Sequence, residues 1–72
     1  MKAKELGQLI RTTRKQLKLT QTELALSAGT ATRFISDLEN GKPSCQLEKT
    51  LTVLQTLGLK LSITPNLSGR NV

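Results

Sequence analysis

The sequence predicts a mainly α fold: one small domain of four to five helices, followed by a single C-terminal β-strand. Three observations predict it. Apolar residues recur at 3.6-residue spacing through most of the chain. The periodic runs stop at Gly29, Gly41 and Gly58 and are preceded by capping residues. Only "LKLSIT" alternates with the period of two that a strand requires. With 72 residues the chain allows one domain, near the lower limit for a self-sufficient core. It has one Phe and no Tyr or Trp, so the core must be Leu, Ile, Val and Ala. Such a core stabilises weakly, and oligomerisation is a common remedy.

The first helix is expected over residues 3–18, with Leu6, Leu9, Ile10, Thr13 and Leu17 on one face. Lys4, Arg11, Lys15 and Lys18 fall in a narrow arc opposite, a stripe more often solvated than bound to phosphate. Arg14 lies at the edge of the apolar face. "TQTE", Thr20 to Glu23, is a capping box that opens a short helix through "LALSA", stopped by Gly29. Thr30 opens the next helix, which ends at "ENGKP". Ser44 is expected to cap a fourth helix, with Leu47, Leu51, Leu54 and Leu57 as its inner stripe and Gly58 as its stop. Cys45, in its first turn, reads as a small semi-buried residue. Leu59, Leu61 and Ile63 then alternate with Lys60, Ser62 and Thr64 until Pro65 ends the strand. The domain is thus placed at 1–65, including a strand over 59–64, with a flexible polar tail at 66–72.

Net charge is +6 and the pI about 10.1, which favours an anionic partner. No run approaches the roughly 20 apolar residues of a membrane span, and the N-terminus shows no signal-peptide core, so a cytoplasmic protein is expected. One Cys excludes an internal disulfide framework, and the lack of His leaves a zinc site without ligands. Ser and Thr are plentiful, but no His is present to activate them. The expectation is a chain with no catalytic residues, no metal and no cofactor.

Two short helices joined by a Gly turn, Gln21–Ala28 and Ala31–Glu39, fit a helix-turn-helix, whose second helix enters the major groove of DNA. On a helical wheel Ala31, Phe34, Ile35 and Leu38 face the core, and Thr32, Arg33, Ser36 and Asp37 lie opposite. Arg33 can donate bidentately to guanine O6 and N7. Thr32 offers a methyl to thymine and a hydroxyl to a base edge or phosphate, and Ser36 lies one turn further on. Asp37 either accepts from cytosine N4 or holds Arg33 at i,i+4 spacing; the second is favoured. Gln21, in the first turn of its helix, and Asn40 and Lys42, just past the reading helix, are placed to hold phosphates on the two flanks. Asn before Gly is also an ordinary turn residue.

The stretch "LTQTELALSAGTATRFISDLENGKP" resembles the lambda-repressor-type (Cro/C1, or XRE) helix-turn-helix family, over about Ala3 to Pro43. "LTQ.ELA" and "ENGK" flank the turn at that family's spacing. The resemblance implies phosphate contacts from Gln21, Asn40 and Lys42, and a groove-facing set of Thr30, Ala31, Thr32, Arg33 and Ser36. It also implies a partly buried salt bridge between Arg14 and Glu39, both at the margins of their apolar stripes. Position 32 departs from the family, where a long amide reader is common.

Further on, "LEKTLTVLQTLGLKLSITP" resembles the HipB antitoxins, in which a strand after the fourth helix pairs across a homodimer. An isolated strand leaves its N–H and C=O groups without partners, and a two-fold-related copy supplies them. Leu59, Leu61, Ser62 and Ile63 are therefore expected in a dimer interface, with Val53, just outside the inner stripe of the fourth helix, joining them. The resemblance implies an antitoxin that represses its own operon through a palindromic operator in double-stranded DNA and binds a HipA-like serine/threonine kinase toxin. The competing expectations are a stand-alone regulator, such as a phage repressor or restriction controller, and a kinase-binding inhibitor that does not use DNA.

Overall fold

The computed structural model describes residues 2–43 and 46–60. They form four helices: α1 (Ala3–Gln16), α2 (Gln21–Ala28), α3 (Thr32–Glu39) and α4 (Leu47–Thr56). α1 packs on α3, and α2 packs on both α3 and α4. The core between them is Ile10, Leu24, Ala25, Ile35, Leu38, Val53, Leu54 and Leu57, with Leu6, Ala28, Phe34, Leu51 and Leu59 half-buried against it. As the composition requires, it is built from aliphatic side chains. No helix among the described residues is long and apolar enough to cross a membrane.

The helices share one way of ending. A left-handed residue stands at Lys18, Gly29, Gly41 and Gly58. The residue after each donates its N–H back to a carbonyl five positions earlier: Leu19 to Arg14 at 3.1 Å, Thr30 to Ala25 at 2.9 Å, Lys42 to Asp37 at 3.0 Å and Leu59 to Leu54 at 2.8 Å. Lys18 is the exception in residue type, with φ 59° where glycine is at ease. For that reason α1 ends at Gln16, two residues before the expected boundary. The carbonyl of Leu19, freed by the turn, accepts from Arg14 Nη1 at 2.7 Å.

α1 presents a different face from the one its leucines mark. Its buried residues are Gly7, Ile10 and Arg14, while Leu9 and Leu17 stand 43% and 50% exposed. The cause is Gly7. A Cβ added there would collide with the Leu38 carbonyl oxygen and lie 2.8 Å from that of Glu39, so the bare glycine lets α1 lie on the end of α3. Gly41 makes a matching approach, where an added Cβ would lie 2.8 Å from the Lys4 Cα.

α4 is likewise rotated from the expected leucine stripe. Thr50, Val53, Leu54 and Leu57 are buried, Leu51 is half-buried and Leu47 is exposed. Thr50 tolerates burial because its hydroxyl donates to the Gln46 carbonyl at 3.1 Å. Val53, expected at a dimer interface, is fully enclosed in the core of the single chain. Leu59 is half-buried against the same core. The rest of the expected strand (Leu61, Ser62 and Ile63), the Ser44 cap, Cys45 and the 65/66 boundary lie outside the described residues.

Candidate nucleic-acid interface

α2 is fixed at its start by the capping box. The Thr20 hydroxyl accepts from the Glu23 N–H at 3.0 Å, and the Thr20 N–H donates to Glu23 Oε1 at 2.8 Å. Glu23 is thereby satisfied, while the N–H groups of Gln21 and Thr22 have no acceptor within the helix. Gly29 turns the chain, and α3 begins at Thr32 with Ala31 as its N-cap. Ala31 is consequently exposed and does not face the core as the helical wheel had it. Ile35 and Leu38 bury the inner side of α3, with Phe34 half-buried beneath the Lys49 ammonium, 6.0 Å from the ring centre.

The outer side of α3 holds the predicted readers together. Thr32 and Arg33 are exposed, and Ser36 and Asp37 are half-buried. Thr30 stands apart: its Oγ1 is buried without a hydrogen-bond partner among the described residues, so the hydroxyl must rotate before it can address a base. The expected Arg33–Asp37 pair is not formed. Asp37 Oδ1 stands 3.3 Å from Lys42 Nζ, because the left-handed turn at Gly41 folds Lys42 back over the last turn of α3. Asn40 and Lys42 are both exposed beside that turn.

One carboxylate braces the unit. Glu39 is 7% exposed and Arg14 is 8% exposed. Arg14 Nε donates to Glu39 Oε2 at 2.6 Å and Nη2 to Oε1 at 3.1 Å, a bidentate pair. Gln21 Nε2 donates to the same Oε1 at 3.1 Å. α1, α2 and α3 therefore meet at the Glu39 side chain, and Arg14 ties the α1–α2 turn to the same cluster through the Leu19 carbonyl. Burial pushes the Glu39 carboxyl up, but hydrogen bonds from Arg14 and Gln21 and the charges of Arg14 and Arg11 outweigh it and hold the group below the usual carboxylate range. The bond to Glu39 raises the Arg14 guanidinium against its desolvation.

The Arg14–Glu39 bridge was legible in the sequence; the part of Gln21 in it was not. Glu39 takes one of the two amide N–H groups of Gln21, which leaves the other and the backbone N–H for an outside acceptor. Gly7 was also missed, although a glycine inside an amphipathic helix is itself a sign of close packing. Among the described residues no three His, Cys, Asp or Glu come together to hold a metal ion.

The chain matches a family model described as a helix-turn-helix domain over residues 7–62. It is similar to the uncharacterized HTH-type transcriptional regulator y4mF of Sinorhizobium fredii (strain NBRC 101917 / NGR234), with 52% identity over 59 residues, 82% of this chain and 78% of that protein. The ImmF control region 10 kDa protein of Bacillus phage phi105 is 38% identical over 60 residues, 81% of this chain and 67% of the phage protein. Among solved structures, a chain of the HipA-HipB-O2-O3 complex superposes with a TM-score of 0.80 at 28% identity, covering 90% of this chain and 92% of that one. A structure described as MDT Protein gives the same values. The family model spans most of the chain and the fold, capping and turn agree with it: the chain belongs to the helix-turn-helix family, as a transcriptional regulator of the lambda-repressor (XRE) type.

Proposed function

We propose that this chain is a dimeric DNA-binding antitoxin that represses its own HipBA-type operon and binds a HipA-like serine/threonine kinase. The observation that carries the DNA-binding half is the outward set of exposed Thr32 and Arg33 and half-buried Ser36, on a helix rooted by the buried Arg14–Glu39 pair and its bond from Gln21. Small hydrogen-bonding side chains beside an arginine suit base edges in the major groove. Arg33 takes a guanine bidentately, with Thr32 and Ser36 at neighbouring positions. The N–H groups at the start of α2, with the Gln21 amide, hold one phosphate flank; Asn40 and Lys42 hold the other. Leu59, Leu61, Ser62 and Ile63 pair the two copies, which brings two reading helices about 34 Å apart on a palindromic operator.

The likeness to a chain of the HipA-HipB-O2-O3 complex supports the kinase half. Co-expression with the neighbouring reading frame, followed by pull-down with and without promoter DNA, tests both halves at once. Arg33→Ala should relax base preference at one position per half-site, costing about 1–3 kcal/mol. Equal losses on operator and random DNA would make Arg33 a backbone contact and defeat this assignment. The phage control-region relative favours a second reading, a stand-alone regulator without a toxin. A kinase reading frame directly downstream separates the two.

A further inference from the structure

The basic residues of α1 lie elsewhere than the leucine pattern implies. With Gly7, Ile10 and Arg14 as the buried face, Lys4, Arg11 and Lys15 sit beside it, on the edge of α1 that meets the end of α3. Two observations fix that placement. The Lys4 backbone abuts Gly41, next to Lys42, and the Arg11 charge is felt by Glu39 at the end of α3. All three side chains are exposed, and none makes an ion pair among the described residues. The nearby acid of the helix, Glu5, is turned to the Lys2 N–H at 2.8 Å. Arg11 and Lys15 are like charges at i,i+4, an arrangement that disfavours a helix unless something anionic lies across it.

We propose that Lys4, Arg11 and Lys15 form a phosphate-binding ridge, continuous with Lys42, that grips the DNA backbone flanking the base-read half-site. Lys4 to Lys15 spans about 16 Å along α1, roughly half a turn of duplex. The ridge carries no sequence information, since cations on phosphates position a protein without reading bases. Its contribution is site length: the protein senses duplex beyond the bases it contacts. This inference rests on the DNA-binding reading above.

The test uses the full chain and two duplexes with the same operator, one ending at the half-sites and one extended by half a turn on each side. The variant is Lys4→Gln/Arg11→Gln/Lys15→Gln, with Lys2→Gln/Lys18→Gln/Lys49→Gln as a control of equal charge. Glutamine keeps helix propensity, and circular dichroism checks the fold of both. Wild type should bind the extended duplex more tightly than the short one. The ridge variant should bind both alike, with base preference kept and a salt slope on the extended duplex shallower by about five, two to three for each copy of the dimer. The control should behave as wild type. A ridge variant indistinguishable from wild type, or a control that loses as much, would overturn the ridge. Failure of wild type to bind any duplex would instead remove the DNA-binding reading beneath it.

Discussion

Arg14 Nε lies 2.6 Å from Glu39 Oε2, and the two residues, 25 positions apart, are almost wholly buried. Removing either partner leaves a charge in a site that water reaches poorly, at a cost of about 3 kcal/mol or more. Each of Arg14→Met and Glu39→Leu should therefore lower the melting temperature more than the double replacement, which leaves no charge behind. Gln21 loses an acceptor in the double variant, but it is half-exposed and water can substitute. Additive losses in the three melts would mean that the residues do not interact.

The same bridge sets an acid limit. The Glu39 carboxyl titrates below its ordinary value of 4.5 in the folded chain. A depressed carboxylate contributes stability that is complete above the unfolded value and lost as pH falls through the folded one. The melting-temperature gap between wild type and Glu39→Gln should thus be constant down to about pH 4.5 and shrink below it. A gap unchanged at about pH 2.5 would refute the shift.

Gly7→Ala should reverse the usual sign. In an ordinary helix interior the change stabilises by about 1 kcal/mol. Here the new methyl meets the backbone carbonyls of Leu38 and Glu39, which cannot swing aside. A net loss of about 1–3 kcal/mol in denaturant unfolding is expected, and a gain would show that α1 can lift off α3 freely.

Lys18→Gly tests the opposite case. Lys18 holds φ 59° at a position where the other three helices have glycine. The substitution should stabilise by about 0.5 kcal/mol, the relief of the left-handed penalty being partly offset by a freer unfolded chain. Operator affinity should not change.

The Asp37–Lys42 pair, both partners partly exposed, adds little to stability. If Lys42 holds a phosphate as proposed, Asp37 competes for it, and the effect should appear on DNA. Asp37→Asn is expected to raise affinity for random duplex and steepen the salt slope by up to about 1, and to do neither in a Lys42→Gln background. Loss of operator binding alone, with random binding unchanged, would make Asp37 a base reader.

The elements legible in the sequence were those with local stop signals. α2 begins and ends where "TQTE" and Gly29 place it, and α3 ends at Glu39 before the turn at Gly41. The end of α1 was hidden because a lysine occupies the left-handed position that glycine marks at the other helix ends. The faces of α1 and α4 were misread for a related reason. Counting leucines favours Leu9, Leu17 and Leu47, yet what decides burial is where another helix can approach closely, and that depends on Gly7, Thr50 and Val53. Of the candidate site, the composition of the α3 face was readable, whereas the partners of Asp37 and Gln21 depend on the fold.

α3 is held very unequally along its length. Its last turn is rooted by Glu39, by the close seat of Gly7 and by the turn at Gly41, while its first turn follows Ala31, which offers no side-chain cap. The base is cross-braced by polar bonds, whereas the first turn rests on the apolar packing of Phe34 and Ile35 alone. Thr32 and Arg33, the proposed base readers, stand exposed on that first turn and make no side-chain bond among the described residues, so exchanging them should cost the fold little. On the proposed reading, the choice of operator and the stability of the fold are therefore separable properties of this helix.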